Sequence, residues 1–182
     1  AKGWGSVAIG AGTLAENQGT VAIGHGAKAY SLESVALGYN TQAGAPSGQP
    51  GAGNHAQTAM GSGTIATGGA ATAFGFESVA SGAHAIAGGD KAKATGQDSV
   101  ALGKDTKAFG TWSVALGSDT KAEGQSSTAL GTDTTASGIA STAMGSKTQA
   151  TGVGSTAMGG STTAAGNWSL ASGGLSEAKG DY

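Results

Sequence analysis

The chain has 182 residues, with nine lysines, no arginine, eleven acidic residues and no cysteine, and its formal net charge is -2. The near-neutral charge argues against nucleic-acid binding, for which a basic face is expected. The absence of cysteine excludes disulfides and thiolate metal sites. No apolar run approaches the roughly 20 residues of a membrane helix. With 36 glycines and only 5 % aromatic residues, the chain also lacks the large side chains of a conventional core.

The sequence repeats itself along its whole length. Counting Ser6 as position 1, units of 14 residues follow one another twelve times, with one 9-residue insertion within 44–56. Position 3 is always Ala, position 5 always Gly and position 10 always Ala. We predict a single repeat domain over residues 1–182. Because the chain begins in the middle of a unit, we expect it to be a fragment of a longer protein.

Each unit divides into two similar halves, because positions 1 to 5 and 8 to 12 both read Ser/Thr-x-Ala-x-Gly. This pattern predicts two five-residue strands per unit, with the glycines of positions 5 and 12 in the turns. The small residues of positions 1, 3, 8 and 10 are expected to fill a narrow interior, where their hydroxyls bond to one another or to backbone. The predicted fold class is therefore all-β, a parallel β-roll (solenoid) of 14-residue coils with two short strands per coil.

Positions 2 and 4 form an outward-facing apolar stripe, whereas positions 9 and 11 are mostly polar. Over twelve coils the stripe would extend roughly 60 Å, more than a soluble monomer exposes. We therefore predict a symmetric oligomer with the stripes on its axis. Gly88 and Ser172 are expected to interrupt the stripe as locally weak points. The predicted interface residues are Val7, Ile9, Val21, Ile23, Val35, Leu37, Phe74, Val100, Leu102, Val114, Leu116, Leu130, Met144 and Met158.

The five-residue groups at the start of the units resemble the head repeats of trimeric autotransporter adhesins of the YadA type. Examples are SVAIG at residues 6–10, TVAIG at 20–24, and SVALG at 34–38 and 99–103. The resemblance covers essentially the whole chain and implies a left-handed roll assembled as a homotrimer. It also implies a bacterial surface adhesin head, anchored in the outer membrane through a C-terminal region outside this chain.

The resemblance implies a host cell-surface or extracellular-matrix protein as the partner, of the collagen, fibronectin or laminin class. The family motif has Asn before the five-residue group, whereas this chain has residues such as Gly5, Glu33 and Trp112 there. This difference weakens the case for collagen in particular. We expect no cofactor, no nucleic acid and no membrane contact by this segment.

Three lysines occupy position 9 of consecutive coils, namely Lys93, Lys107 and Lys121. They are expected to stack about 4.8 Å apart on the polar sheet. Asp105 and Asp119 lie two residues before Lys107 and Lys121 on the same face, where they relieve the repulsion. The lysines form either a solvated charge ladder or a surface that attracts an anionic host ligand.

Aromatic residues supply further candidate contacts. Phe109 and Tyr30, at position 11, are expected to be exposed. Trp112, Trp168 and Tyr182 fall in the turn before the first strand of a coil, where the tryptophans either pack between subunits or contact a partner. With the lysines, the candidate ligand contacts are Lys93, Lys107, Phe109, Trp112, Lys121, Pro46 and Pro50.

The insertion within 44–56 holds both prolines and is rich in glycine, so it is expected to form a loop. Pro46 and Pro50 belong either to a recognition loop or to a loop insertion that has no function of its own.

His25, His55 and His84 share no repeat position and no carboxylate accompanies them, so we expect no metal site. No nucleophile, base and orienting group converge, so we expect no enzyme. Two alternatives to an adhesin remain: an ice-binding β-solenoid, suggested by the threonines of position 8, and a structural spacer without a ligand of its own.

Overall fold

The structure is a computed structural model that describes residues 1–47, 49 and 55–181. It is an all-β parallel solenoid with two strands in each of twelve coils, which confirms the predicted fold class. The chain divides into two compact units, Ala1–Ala92 and Lys93–Tyr182. In each unit, the first strands of the coils form one parallel sheet and the second strands form another.

In the first unit, the first strands of the coils lie in chain order in one sheet, and the second strands lie in chain order in another. The first sheet contains β1 (Val7–Ile9), β3 (Val21–Ile23), β5 (Val35–Tyr39), β7 (Thr58–Ser62), β9 (Thr72–Phe76) and β11 (Ile86–Asp90). The second contains β2 (Leu14–Ala15), β4 (Lys28–Ala29), β6 (Gln42–Ala43), β8 (Ile65–Ala66) and β10 (Val79–Ala80).

The second unit repeats this plan. Its first sheet contains β13 (Val100–Lys104), β15 (Val114–Ser118), β17 (Thr128–Thr132), β19 (Thr142–Ser146), β21 (Thr156–Gly160) and β23 (Leu170–Gly174). Its second sheet contains β12 (Lys93–Ala94), β14 (Lys107–Ala108), β16 (Lys121–Ala122), β18 (Thr135–Ala136), β20 (Gln149–Ala150), β22 (Thr163–Ala164) and β24 (Glu177–Ala178).

The strands are in register with the 14-residue repeat. Val100 pairs with Val114, and Leu102 with Leu116. The same register continues across the insertion, where β5 pairs with β7, so that Val35 lies beside Thr58. The nine additional residues therefore leave the strand ladder of the first unit intact.

The interior contains the small residues of positions 1, 3, 8 and 10, as predicted. In one coil these are Ser99, Ala101, Thr106 and Ala108, all with no exposed surface. Several position-1 hydroxyls donate to the carbonyl three residues earlier, as Ser99 Oγ does to Gly96 O at 2.6 Å. The expectation of hydrogen-bonded hydroxyls is confirmed only in part. At position 8, Thr13, Ser78 and Ser176 donate to backbone carbonyls. At position 1, the hydroxyls of Ser113, Ser127 and Ser141 have no partner among the described residues. Among the described residues, the buried Oγ1 atom has no hydrogen-bond partner in the following threonines of position 8: Thr41, Thr64, Thr106, Thr120, Thr134, Thr148 and Thr162.

The strand lengths and the turns differ from the prediction. From the third coil on, the first strand covers positions 2 to 6, whereas the second covers only positions 9 and 10. The left-handed turn residues lie at positions 7 and 14 and are often not glycine, for example Asp105 (φ 52°) and Trp112 (φ 56°). Position 5 stays within the strand, and Gly103 there has φ +132°. A Cβ on Gly103 would overlap the carbonyl oxygen of Gly117 in the next coil, so glycine is required by close backbone approach.

Candidate binding surfaces

The predicted apolar stripe lies on the outer face of the first sheet in each unit. Val7, Ile9, Ile23 and Phe74 are exposed, and the other ten predicted interface residues are half-buried. Ile9 keeps 57 % of its surface accessible. Within the described part of the chain, every residue of the stripe except Gly88 keeps part of its surface exposed, so the stripe is available to another molecule.

The stripe has no gap at Gly88, contrary to the prediction. The ring of Phe74, in the coil before, lies over Gly88, and a Cβ added to Gly88 would overlap its Cζ. Gly88 is consequently buried, and the Phe74 ring takes the place of the missing side chain. Ser172, the second predicted interruption, is exposed.

The three lysines of position 9 stack as predicted. Lys93 pairs in register with Lys107, and Lys107 with Lys121, through the parallel strands β12, β14 and β16. Lys93 and Lys121 are exposed, and Lys107 is half-buried. The backbone ladder thus places three lysines side by side in the second sheet of the second unit.

A shallow groove runs beside the lysines. We call it the charged groove, and its lining residues are Asp105, Lys107, Asp119, Lys121, Asp133 and Thr135. The three aspartates occupy the left-handed position 7 of consecutive coils, and backbone hydrogen bonds connect the turns. Asp133 was not singled out from the sequence, although its place in the repeat identifies it as the third member of this column.

Phe109 and Trp112 lie at the surface of the same unit. Phe109 follows strand β14 and is 42 % exposed. Trp112 is 53 % exposed, and its indole Nε1 donates to Asp98 Oδ2 at 3.2 Å. Trp168 is also exposed, and its ring lies against Gly154 in the preceding coil. Trp112 and Trp168 thus each contact a neighbouring turn and keep more than half of their surface exposed.

Two other aromatic predictions have different outcomes. Tyr30 is half-buried rather than exposed, and its carbonyl accepts a hydrogen bond from Asn17 Nδ2. Tyr182 lies outside the described residues.

Part of the insertion can be described. Pro46 is half-buried, and its carbonyl accepts a hydrogen bond from Gln49 N at 3.0 Å. Pro50 lies outside the described residues, as do residues 48 and 51–54. Immediately after the insertion, Gln57 is fully buried at position 1, and neither atom of its amide has a partner among the described residues.

A stack of His25 on Tyr39 was not predicted. Their ring centroids are 5.5 Å apart with an interplanar angle of 16°. Both residues occupy position 6 of consecutive coils, and that shared position is the signal that could have revealed the pair. Across the described residues, no three His, Cys, Asp or Glu side chains come together as a group able to hold a metal ion.

The threonine ladder that suggested ice binding lies inside the roll. Thr106, Thr120 and Thr134 have no exposed surface, so this ladder cannot present an array to ice. Among the described residues, there is no helix with the length and apolar character needed to cross a membrane.

Comparison with known proteins identifies the repeat. The family model described as "YadA head domain repeat (2 copies)" matches most of the chain. The matched stretches are residues 1–27, 15–41, 58–77, 66–92, 94–120, 122–148 and 150–176. A search of curated proteins gives no significant match.

Proposed function

Because the chain belongs to the family of YadA head repeats, we propose that it attaches a bacterial cell to host cells or to extracellular-matrix proteins. Heads of this family are non-enzymatic, trimeric adhesins exposed at the cell surface and anchored in the outer membrane. The observation that supports the proposal most is the division of the roll into an uncovered apolar stripe and a polar outer sheet.

The apolar stripe is the surface on which three copies of the chain meet. Its side chains are half-buried or exposed in one chain, and exclusion of water from many Val, Leu and Met side chains stabilises an assembly. Stripes that meet on a threefold axis leave the polar sheets facing outward. The outer-membrane anchor follows this chain in the full protein.

The host ligand binds to the outward surface of the second unit. The lysine ladder supplies positive charge, and Phe109 and Trp112 supply exposed rings of the type that anchor protein interfaces. Pro46, in the first unit, and Pro50, outside the described residues, are proposed as separate ligand contacts. Three chains present every contact three times, so a weak contact gains from avidity.

The ligand is a matrix or cell-surface protein of the collagen, fibronectin or laminin class. Fibronectin and laminin are the preferred candidates, because the chain lacks the Asn of the family motif before each five-residue group. A solid-phase assay with the three proteins immobilised separately tests the assignment.

The decisive variant combines Lys93→Gln, Lys107→Gln, Lys121→Gln and Phe109→Ser. We expect it to lower binding at least tenfold, whereas Lys147→Gln, which removes an exposed lysine outside the ladder, leaves binding unchanged. If the two variants bind the host protein equally well, the ligand site does not include the lysine ladder or Phe109. No binding of the unsubstituted chain to any host protein would favour the structural spacer.

A further inference from the structure

The charged groove carries two parallel columns of opposite charge. Asp105, Asp119 and Asp133 form the acidic column, and Lys107 and Lys121 form the basic column beside it. The turns of the acidic column are held by backbone hydrogen bonds, such as Asp119 N to Lys104 O at 2.9 Å. The basic column is fixed by the register of β14 and β16. Both columns therefore repeat with the spacing of the coils, about 4.8 Å.

The two columns do not neutralise each other by direct contact. Within the described residues, no ion pair joins an aspartate of the groove to Lys107 or Lys121. Residues at positions 7 and 9 are two apart along the chain, with the aspartates in the turn and the lysines in the strand that follows it. The groove is thus nearly neutral overall but polar across its width. A partner that fits it carries a basic column opposite the aspartates and an acidic column opposite the lysines.

We propose that this partner is a second copy of the chain, lying side by side with the first and pointing in the same direction. A twofold axis parallel to the direction in which the coils stack exchanges the two columns. The aspartates of one copy then face the lysines of the other, and the reverse holds across the axis. The surface is self-complementary in this arrangement, as a twofold contact requires.

The opposite orientation does not satisfy both columns. When one copy is turned end over end, aspartates face aspartates and lysines face lysines. If one copy in this antiparallel arrangement is shifted sideways by one column, its acidic or basic column faces a column of opposite charge. The remaining column of each copy then faces no column of the other. Like charges that face each other oppose association, so the groove discriminates between parallel and antiparallel contacts.

The preference for parallel contacts determines which heads can associate if the chain is displayed on a cell, a step that rests on the proposed function. Heads that project from one surface are parallel to one another, whereas heads on two facing cells meet in opposite directions. The groove therefore promotes lateral clustering of heads on one cell. Exposed ion pairs are individually weak and are screened by salt, so the contact depends on crowding at the surface.

Fluorescence energy transfer between assemblies tests the orientation. The chain has no cysteine, so a single Cys at the exposed Gln97 or Lys179 gives one label per chain. These sites lie six coils apart in the second unit, about 30 Å along the stacking direction. Donor-labelled and acceptor-labelled assemblies are prepared separately and mixed at high concentration and low salt. We expect stronger energy transfer when donor and acceptor are both at position 97 than when one is at position 97 and the other at position 179. This same-site transfer is expected to disappear in 0.5 M salt, where the screening length is about 4 Å.

A charge-swapped variant provides the matched control. Combining Asp105→Lys, Asp119→Lys, Lys107→Asp and Lys121→Asp exchanges the columns in two coils without changing the net charge. We expect this variant to associate with itself in the parallel orientation but to lose same-site transfer when mixed with the unsubstituted chain. Undiminished same-site transfer in that mixture would overturn the proposal.

A second variant distinguishes the contact between charged grooves from host binding. It also provides a test if the charge-swapped variant does not fold. Asp105→Asn with Asp119→Asn keeps every lysine, so host binding is expected to persist while lateral transfer falls to the level seen in high salt. Lateral transfer that equals that of the unsubstituted chain would overturn the self-association proposal. Absence of host binding with lateral transfer intact would overturn only the proposed ligand surface.

Discussion

The phenyl ring of Phe74 lies over the backbone of Gly88 in the next coil, at the place where the apolar stripe has no side chain of its own. Gly88 has no positive φ, and the atoms nearest to a side chain at this position are those of the Phe74 ring. We expect Gly88→Ala to lower the free energy of unfolding by about 0.5–1.5 kcal/mol, because the partly exposed Phe74 ring must leave its rotamer. In a Phe74→Ala background the same substitution costs little, and chemical denaturation of the four proteins measures the difference. Equal costs in both backgrounds would contradict the packing of Phe74 on Gly88.

Gly103 presents a different restriction, because its φ of +132° and the nearby Gly117 carbonyl both exclude a side chain. We expect Gly103→Ala to lower the free energy of unfolding by at least about 2 kcal/mol. The matched control is Gly160→Ala, since Gly160 lies at a strand end with open space around its would-be Cβ. Thermal unfolding compares the two, and similar losses would show that the close approach of adjacent coils is not what requires glycine.

The buried threonines of position 8 predict an unusual response to a polar-to-apolar substitution. Thr120 Oγ1 is buried without a partner in the described structure, and valine has nearly the same shape. We expect Thr120→Val to leave stability unchanged or to raise it by up to about 1 kcal/mol. Thr120→Ser keeps the hydroxyl but removes a methyl group, and is expected to cost about 1 kcal/mol. The opposite ranking in denaturation experiments would mean that the Thr120 hydroxyl makes a stabilising hydrogen bond.

A charge on the stripe is expected to act on assembly rather than on the interior of the roll. Leu116 is half-buried on the outer face of β15, whereas Lys121 is exposed on the other sheet. Leu116→Glu places a carboxylate in the proposed contact between subunits, where burial of an unpaired charge opposes association. Size-exclusion chromatography with light scattering is expected to show dissociation or unfolding for this variant. Lys121→Glu is expected to leave the mass of the assembly unchanged, and a loss of assembly there would argue against the assignment of the two faces.

The repeat made much of the fold predictable from the sequence. Ser99, Ala101, Thr106 and Ala108 were assigned to the interior because both halves of the unit share small residues, and all four are buried. The lysine ladder followed in the same way, because equal repeat positions lie side by side in a parallel solenoid.

Features that depend on contacts between coils were not predictable from one unit alone. Asp105 and Trp112 adopt left-handed backbone because hydrogen bonds between stacked turns fix that conformation, despite a preference for glycine in isolated turns. The Phe74 ring covers Gly88 because a large side chain in one coil can reach over a missing one in the next. The stack of His25 on Tyr39 likewise arises between coils.

Sedimentation equilibrium of the unsubstituted chain tests the central claim most directly, namely that the uncovered apolar stripe is the contact between three identical chains. A single species with three times the 17.1 kDa mass of one chain is predicted, across a wide range of protein concentrations. A folded monomer, with the β-sheet circular dichroism of the intact roll, would contradict the account.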